Sequence, residues 1–162
     1  MGTMQYDVKS AHNTVSGLAV GYRTRLKGVL ISPSTAVTFN TAFCNNVSQS
    51  GTYNIPGSTT CTVTIANHGL TTGDRVYLDF TSGSAQDEVY TVTVTSPSAF
   101  TVTTASLNTS GNVTMYAQIL AEFDCSNGTA FYTLIPGEGI LAEQGIYVGI
   151  PSASITTTLF YG

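Results

Sequence analysis

The chain has 162 residues, of which 42% are hydrophobic and only 9% charged, with a formal net charge of −4. An average globular domain is about 25% charged; here Thr, Ser, Asn and Gly take the place of the missing Lys and Glu. The apolar content argues against disorder, the acidic balance against general nucleic-acid binding, which needs a basic surface, and the length admits one domain or two small ones.

The N-terminal residues 1–7 hold no apolar run of the kind a secretory signal needs. No stretch approaches the roughly 18 apolar residues of a transmembrane helix. The expectation is a chain made in a cytoplasm with no membrane partner, in which the sequons at Asn46, Asn108, Asn112 and Asn127 are products of composition. Residues 17–43 then carry Leu18-Ala19-Val20, Gly28-Val29-Leu30-Ile31 and Val37 with Phe39, broken by Ser32-Pro33-Ser34. These runs alternate loosely, as strands covered on both faces do. A Gly/Ser/Thr/Asn-rich stretch at 48–60 reads as a joint.

The middle of the chain alternates with period two, the mark of half-buried strands. Cys61, Val63 and Ile65 form one apolar set, followed by Val76, Leu78 and Phe80. Tyr90, Val92 and Val94 form the next, and Phe100 with Val102 the last. Thr fills most intervening positions, where its branched Cβ suits a pleated surface. Turn signals separate the runs at Asn67-His68-Gly69, Thr72-Gly73-Asp74, Ser82-Gly83-Ser84 and Ser96-Pro97-Ser98. A second joint follows at 105–114, and the looser pattern resumes in Ile119–Phe123, Phe131–Ile135, Ile146–Ile150 and Ile155–Phe160.

These elements predict an all-β protein: an antiparallel, jelly-roll-like β-sandwich of residues 1–50 and 117–162, with residues 51–116 inserted as a small β-sandwich or barrel. Insertions succeed at exposed hairpin tips, where the two ends lie close together. Charge follows the same partition. The insert sets Arg75 against Asp74, Asp79, Asp87 and Glu88, a net of −3, while the flanks come to −1 and hold Lys9, Arg23, Arg25 and Lys27.

Arg23, Arg25 and Lys27 are spaced to share one face of a strand, and are the candidate partner-docking stripe. The plainer alternative is a solvated face paired with Glu138 or Glu143. His68, in a Gly-flanked turn, reads as a residue bonding the loop backbone, and His12 carries no signal of its own. Glu122 and Asp124 share a strand face, but a pair on one strand is more often solvent-facing than hydrolytic. No nucleophile elbow, zincin helix, phosphate loop or dinucleotide fingerprint occurs, and Pro136-Gly137-Glu138-Gly139 reads as a tight turn. Three widely spaced cysteines, Cys44, Cys61 and Cys125, do not form a zinc pattern; Cys61 belongs to a core face, and Cys44 and Cys125 are expected to be free thiols in a reducing compartment. Neither a metal nor a cofactor is expected, nor is catalysis. Tyr53, Tyr77 and Tyr116 are the tyrosines assigned to a possible glycan contact.

Residues Val63 to Leu78, with Tyr90-Thr91-Val92 and Phe100-Thr101-Val102, resemble a small β module recurring in phage tail and accessory structural proteins. The flanks resemble short β-sandwich virion proteins of marine and cyanobacterial phages, through Arg23 to Gly28, Pro136 to Leu141, Tyr147-Val148 and the terminal Phe160-Tyr161-Gly162. The resemblance spans most of residues 5–162. It implies a structural role in a virion assembled in the host cytoplasm, in the head or in the tail; a short fold with no long fibrous stalk makes a head decoration or cement subunit the leading expectation. The partners so implied are the major capsid protein, or tail or portal components, and other copies of the chain, a trimer being the favoured oligomer. The alternative it leaves is a tail or head-appendage protein that contacts the host surface or its glycans.

Overall fold

The computed structural model describes residues 8–162, and among these there is no helix. The fourteen strands, in chain order, are β1 (Lys9–Asn13), β2 (Gly17–Val20), β3 (Thr24–Pro33), β4 (Asn40–Asn45), β5 (Ser48–Thr64), β6 (Arg75–Asp79) and β7 (Glu88–Thr91), then β8 (Thr93–Ser96), β9 (Ala99–Tyr116), β10 (Ile119–Asp124), β11 (Phe131–Leu134), β12 (Ile140–Ala142), β13 (Ile146–Gly149) and β14 (Ile155–Tyr161). The chain forms two compact units. One combines the residues up to 46 with 120–162, and the other is 47–119.

The first unit is a β-sandwich of two antiparallel sheets. One runs β1-β14-β3-β11, with β12 also on β3, and the other runs β10-β4-β13-β2. β11 and β12 lie in succession along the same edge of β3, opposite the edge taken by β14. Counted as one interrupted strand, they give a nested order. The first strand pairs with the last, the second with the second-last, the third with the third-last, and β4 with β10. This is a jelly roll: one long hairpin wound into two sheets, whose innermost pair carries residues 47–119 between its strands. Winding buries Leu26, Val29, Ile31, Ile155 and Leu159 of one sheet against Val20, Phe43, Ile146 and Val148 of the other. Each side chain so buried contributes about 1.5–3 kcal/mol relative to exposure.

β1 lies in a stretch with almost no apolar signal. It pairs with β14 from Lys9↔Tyr161 to Asn13↔Thr157, and only Ala11 packs on the core. An edge strand needs little apolar surface when a neighbour satisfies its backbone.

In the second unit β5 and β9 pair from Ser48↔Tyr116 to Thr64↔Ala99, with register shifts between Pro56 and Thr60. β6 joins one end of β9 and β8 the other, and β7 pairs with β6. The ladder bends at the shifts until the start of β5 meets its own end. Gly51 lies against the Thr64 carbonyl and Ile65, in a space that no Cβ fits. Coiling in this way gathers Cys61, Val63, Ile65, Val76, Leu78, Phe80, Tyr90, Val92, Phe100 and Val102 into one core. These are the apolar sets that alternation assigns inward.

One local expectation is corrected. The stretches 48–60 and 105–114 are not joints but the two strands of the long ladder, so the expected boundaries at 51 and 116 fall inside β5 and at the end of β9. Gly, Ser and Asn weaken a strand but do not break it when a partner supplies a pair of hydrogen bonds at every second residue. Pro136–Gly139 is a turn, as expected, with Gly137 and Gly139 at positive φ, but one that does not reverse the chain. The backbone leaves β3 after Leu134↔Gly28 and rejoins it at Ile140↔Leu26, travelling in the same direction.

Candidate functional site

The side chains of β3 face the core at Thr24 and Leu26, then at Val29, Ile31 and Pro33. The parity changes because Phe160 pairs with Gly28 and Tyr161 with Leu26, leaving Lys27 as an extra residue, a β-bulge. The bulge turns Arg25, Lys27, Leu30 and Ser32 outward. Beside them β14 presents Thr156, Thr158 and Phe160, and β11 presents Tyr132 and Leu134. Tyr132 and Leu134 both lean over Gly28, and the Tyr132 ring meets Phe160 edge-on at 5.7 Å. Leu30, Phe160, Tyr132 and Leu134 therefore make one apolar patch, in which Tyr132 is 53% and Leu134 66% exposed.

The docking stripe is only partly assembled. Arg23 lies in the bend before β3, where its Nε donates to Glu143 Oε2 at 2.8 Å. Arg25 donates to the Gly139 carbonyl at 3.3 Å and stands 3.5 Å from Glu138. Both pairs are largely exposed, so each adds little stability, but they answer the two arginine charges locally. Lys27 has no ion pair among the described residues and sits at the rim of the apolar patch.

No protein-family model matches this chain, and no curated protein does.

The glycan-contact assignment of Tyr53, Tyr77 and Tyr116 is corrected by their burial, at 7% exposure or less. Tyr53 packs edge-on against Phe80 at 4.6 Å and donates its hydroxyl to the Ser82 carbonyl at 3.0 Å. Tyrosine's apolar ring and polar tip suit burial as well as exposure, so residue type did not reveal the side. Among the described residues the exposed tyrosine rings are Tyr22 and Tyr132. Tyr22 lies 6.4 Å from Tyr161, with the Lys9 ammonium 5.8 Å above its face. Nothing local in Phe131-Tyr132-Thr133-Leu134 signals an edge strand with a bare face, because that depends on which strands flank it.

His68 lies at an open groove of about 580 Å³, lined by Asn67, Leu70, Val94 and Ser96 among others. Its Nδ1 accepts the Leu70 N–H at 3.1 Å, so the proton is on Nε2, which donates to the Ser96 carbonyl at 3.0 Å. Both ring nitrogens thus clamp the turn, and the ring rests on Phe100. Glu122 accepts from Asn40 at 2.6 Å. Asp124 accepts both the backbone N–H and hydroxyl of Ser126, which hold its carboxyl below the usual range. Asp124 thus serves its own loop, His68 ties its turn to Ser96, and Glu122 ties β10 to β4. Among the described residues no group of three His, Cys, Asp or Glu converges as metal ligands. Cys44, Cys61 and Cys125 are free and buried, and burial pushes the Cys44 thiol up to about 12 and Cys61 up to about 11.

One carboxylate in the second unit stands apart. Asp87 Oδ1 accepts the Phe80 N–H at 2.7 Å, yet burial, assisted by nearby Asp79, pushes its pKa from 3.8 up to about 6. A carboxyl whose pKa rises on folding holds its proton more tightly in the folded state. Its stabilising contribution is full below about pH 4 and is lost as pH climbs through about 6. Allowing for solvent screening of a half-exposed group, the unit is expected to lose about 1–2 kcal/mol between pH 4 and 7. Asp87→Asn retains an acceptor for Phe80 and should flatten that slope in urea melts; an unchanged slope refutes the assignment.

Proposed function

We propose that the protein is a structural subunit of a phage virion, a decoration or cement protein seated on the head surface against the major capsid protein. The outer face of β3, β14 and β11 carries this reading, with its apolar patch of Leu30, Phe160, Tyr132 and Leu134 and Lys27 at the rim. An apolar patch with polar surroundings marks a protein-interaction site, and aromatic rings are enriched at interface centres while charge such as that of Lys27 belongs to the rim. Part of the resemblance to phage virion proteins falls on this same face, through Arg25, Lys27 and Phe160. The jelly roll is an architecture that viral capsid proteins share, although a fold by itself hosts many functions. Low surface charge supports the reading from another side, because close packing of many copies, three about a local axis in the favoured arrangement, meets little repulsion.

Adding purified subunit to particles stripped of it measures docking directly. Lys27→Glu combined with Leu30→Ser is expected to lower the number of copies bound by at least 10-fold, with the melting temperature nearly unchanged. Arg23→Glu, whose partner is within the subunit, should have little effect. Undiminished binding of the double variant removes the docking face. The second reading, a tail or head-appendage protein contacting host glycans, rests on exposed Tyr22 and Tyr132. It predicts few copies per particle, where decoration predicts many, and copy number in a particle reconstruction separates them.

A further inference from the structure

The edge formed by β11 is unusual in what it lacks. Exposed edge strands are ordinarily guarded against pairing by charge, proline or a bulge. β11 reads Phe-Tyr-Thr-Leu and contains neither a charged residue nor a proline. It ends the β1-β14-β3-β11 sheet, with no strand beyond it among the described residues. The direction of its backbone groups follows from its pairing. Ile135 donates its N–H to the Lys27 carbonyl at 2.9 Å, and the register pairs Thr133 with Val29 and Phe131 with Ile31. Hydrogen-bonded and non-hydrogen-bonded pairs alternate in an antiparallel ladder. The odd residues therefore bond to β3, and Tyr132 and Leu134 direct their N–H and C=O groups away from the sheet. These two residues also have the exposed side chains.

We infer that β11 is a homotypic pairing edge, which joins the β11 of a second copy in antiparallel register about a two-fold axis through Thr133. Only groups that point outward on both copies form bonds, so even residues must oppose even residues. The register centred on Thr133 sets Tyr132 opposite the partner copy's Leu134 and Leu134 opposite its Tyr132, closing four backbone hydrogen bonds. It also lays an aromatic ring over an aliphatic side chain twice, the cross-strand combination that stabilises sheets. Because the strand itself is uncharged, two identical edges meet without repulsion. The result is one sheet continuous across two copies, with its apolar outer face doubled. Four residues per copy bury less than the roughly 1,200 Å² of a stable interface, so the contact is populated where copies are held side by side or concentrated. The inference concerns self-association and stands apart from the docking of the outer face on the head.

Disulfide trapping reads a contact of this kind and its register together. In the proposed pairing Thr133 faces its own symmetry mate as a non-hydrogen-bonded pair, with Cα atoms about 4.5 Å apart, within disulfide range. The three native cysteines are buried and leave the background low. Under mild oxidant, Thr133→Cys is expected to form covalent dimers at least 10-fold faster than Thr59→Cys, a control at an exposed position in the other unit. Adding Leu134→Pro removes an outward donor while leaving the bonds to β3, and should slow trapping at least 5-fold. Leu134→Lys, which keeps the backbone donor but guards the edge with charge, should act in the same direction. Melting curves establish that each variant is folded. Equal trapping at positions 133 and 59, or trapping indifferent to both changes at Leu134, overturns the inference.

Discussion

Replacing Gly51 with Ala is expected to destabilise the 47–119 unit by about 3 kcal/mol or more. The β5–β9 ladder closes its core only by bending at the register shifts between Pro56 and Thr60, which brings the start of β5 onto its end. Gly51 is where they meet. A methyl group there would run into the Thr64 carbonyl and within 2.5 Å or so of Ile65 Cγ1. The obstacle is backbone rather than the free end of a flexible side chain, so relief requires the two ends of the strand to separate. For a unit of this size the loss corresponds to a fall of about 15 °C in melting temperature, together with faster amide exchange along β5 and β9. Gly57→Ala is the comparison: nothing lies within 4 Å of its Cβ position, and only its positive φ of 69° is disfavoured, a cost of about 1–2 kcal/mol. A Gly51→Ala loss no larger than that of Gly57→Ala would show that the ends of β5 do not meet as described.

In the jelly roll the largest effect is expected from Phe43→Ala, a loss of about 3–5 kcal/mol. Phe43 is wholly buried on β4, between β10 and β13. Its ring meets Phe123 edge-on at 5.9 Å and belongs to the cluster that joins the two sheets. Truncation leaves a cavity whose walls are strands already committed to hydrogen-bonded neighbours, so little of the space can collapse. Phe43→Leu keeps most of the volume and should cost about 1.5 kcal/mol or less. Chemical denaturation followed through amide exchange in β4 and β13 measures both. Similar losses for the two substitutions would mean that the site relaxes and that Phe43 does not join the sheets.

The outer face of the jelly roll shows where sequence and structure part company. Arg25 and Lys27 share a face, as their spacing requires, but Arg23 precedes the strand and turns to Glu143. The bulge at Lys27 then reverses the parity of everything after it, so Leu30 points outward although it lies within the run Gly28-Val29-Leu30-Ile31. A bulge is set by the partner strand, and no periodicity within β3 announces it. The same reason hid β1, whose pairing with β14 spans nearly the whole chain.

Composition and alternation were sufficient to determine an all-β protein, the division of charge along it, and the apolar sets that fill the core of the second unit. Period-two patterning is local: each residue's side follows from that of its neighbour, and hydrophobic burial enforces the result. The nested pairing of the jelly roll, the bending of β5 onto itself, the burial of Tyr53, Tyr77 and Tyr116, and the exposure of Tyr132 and Leu134 were decided only in three dimensions. They depend on which strand lies beside which, and strand neighbours distant in sequence are selected by backbone hydrogen bonding, which every residue but proline offers alike.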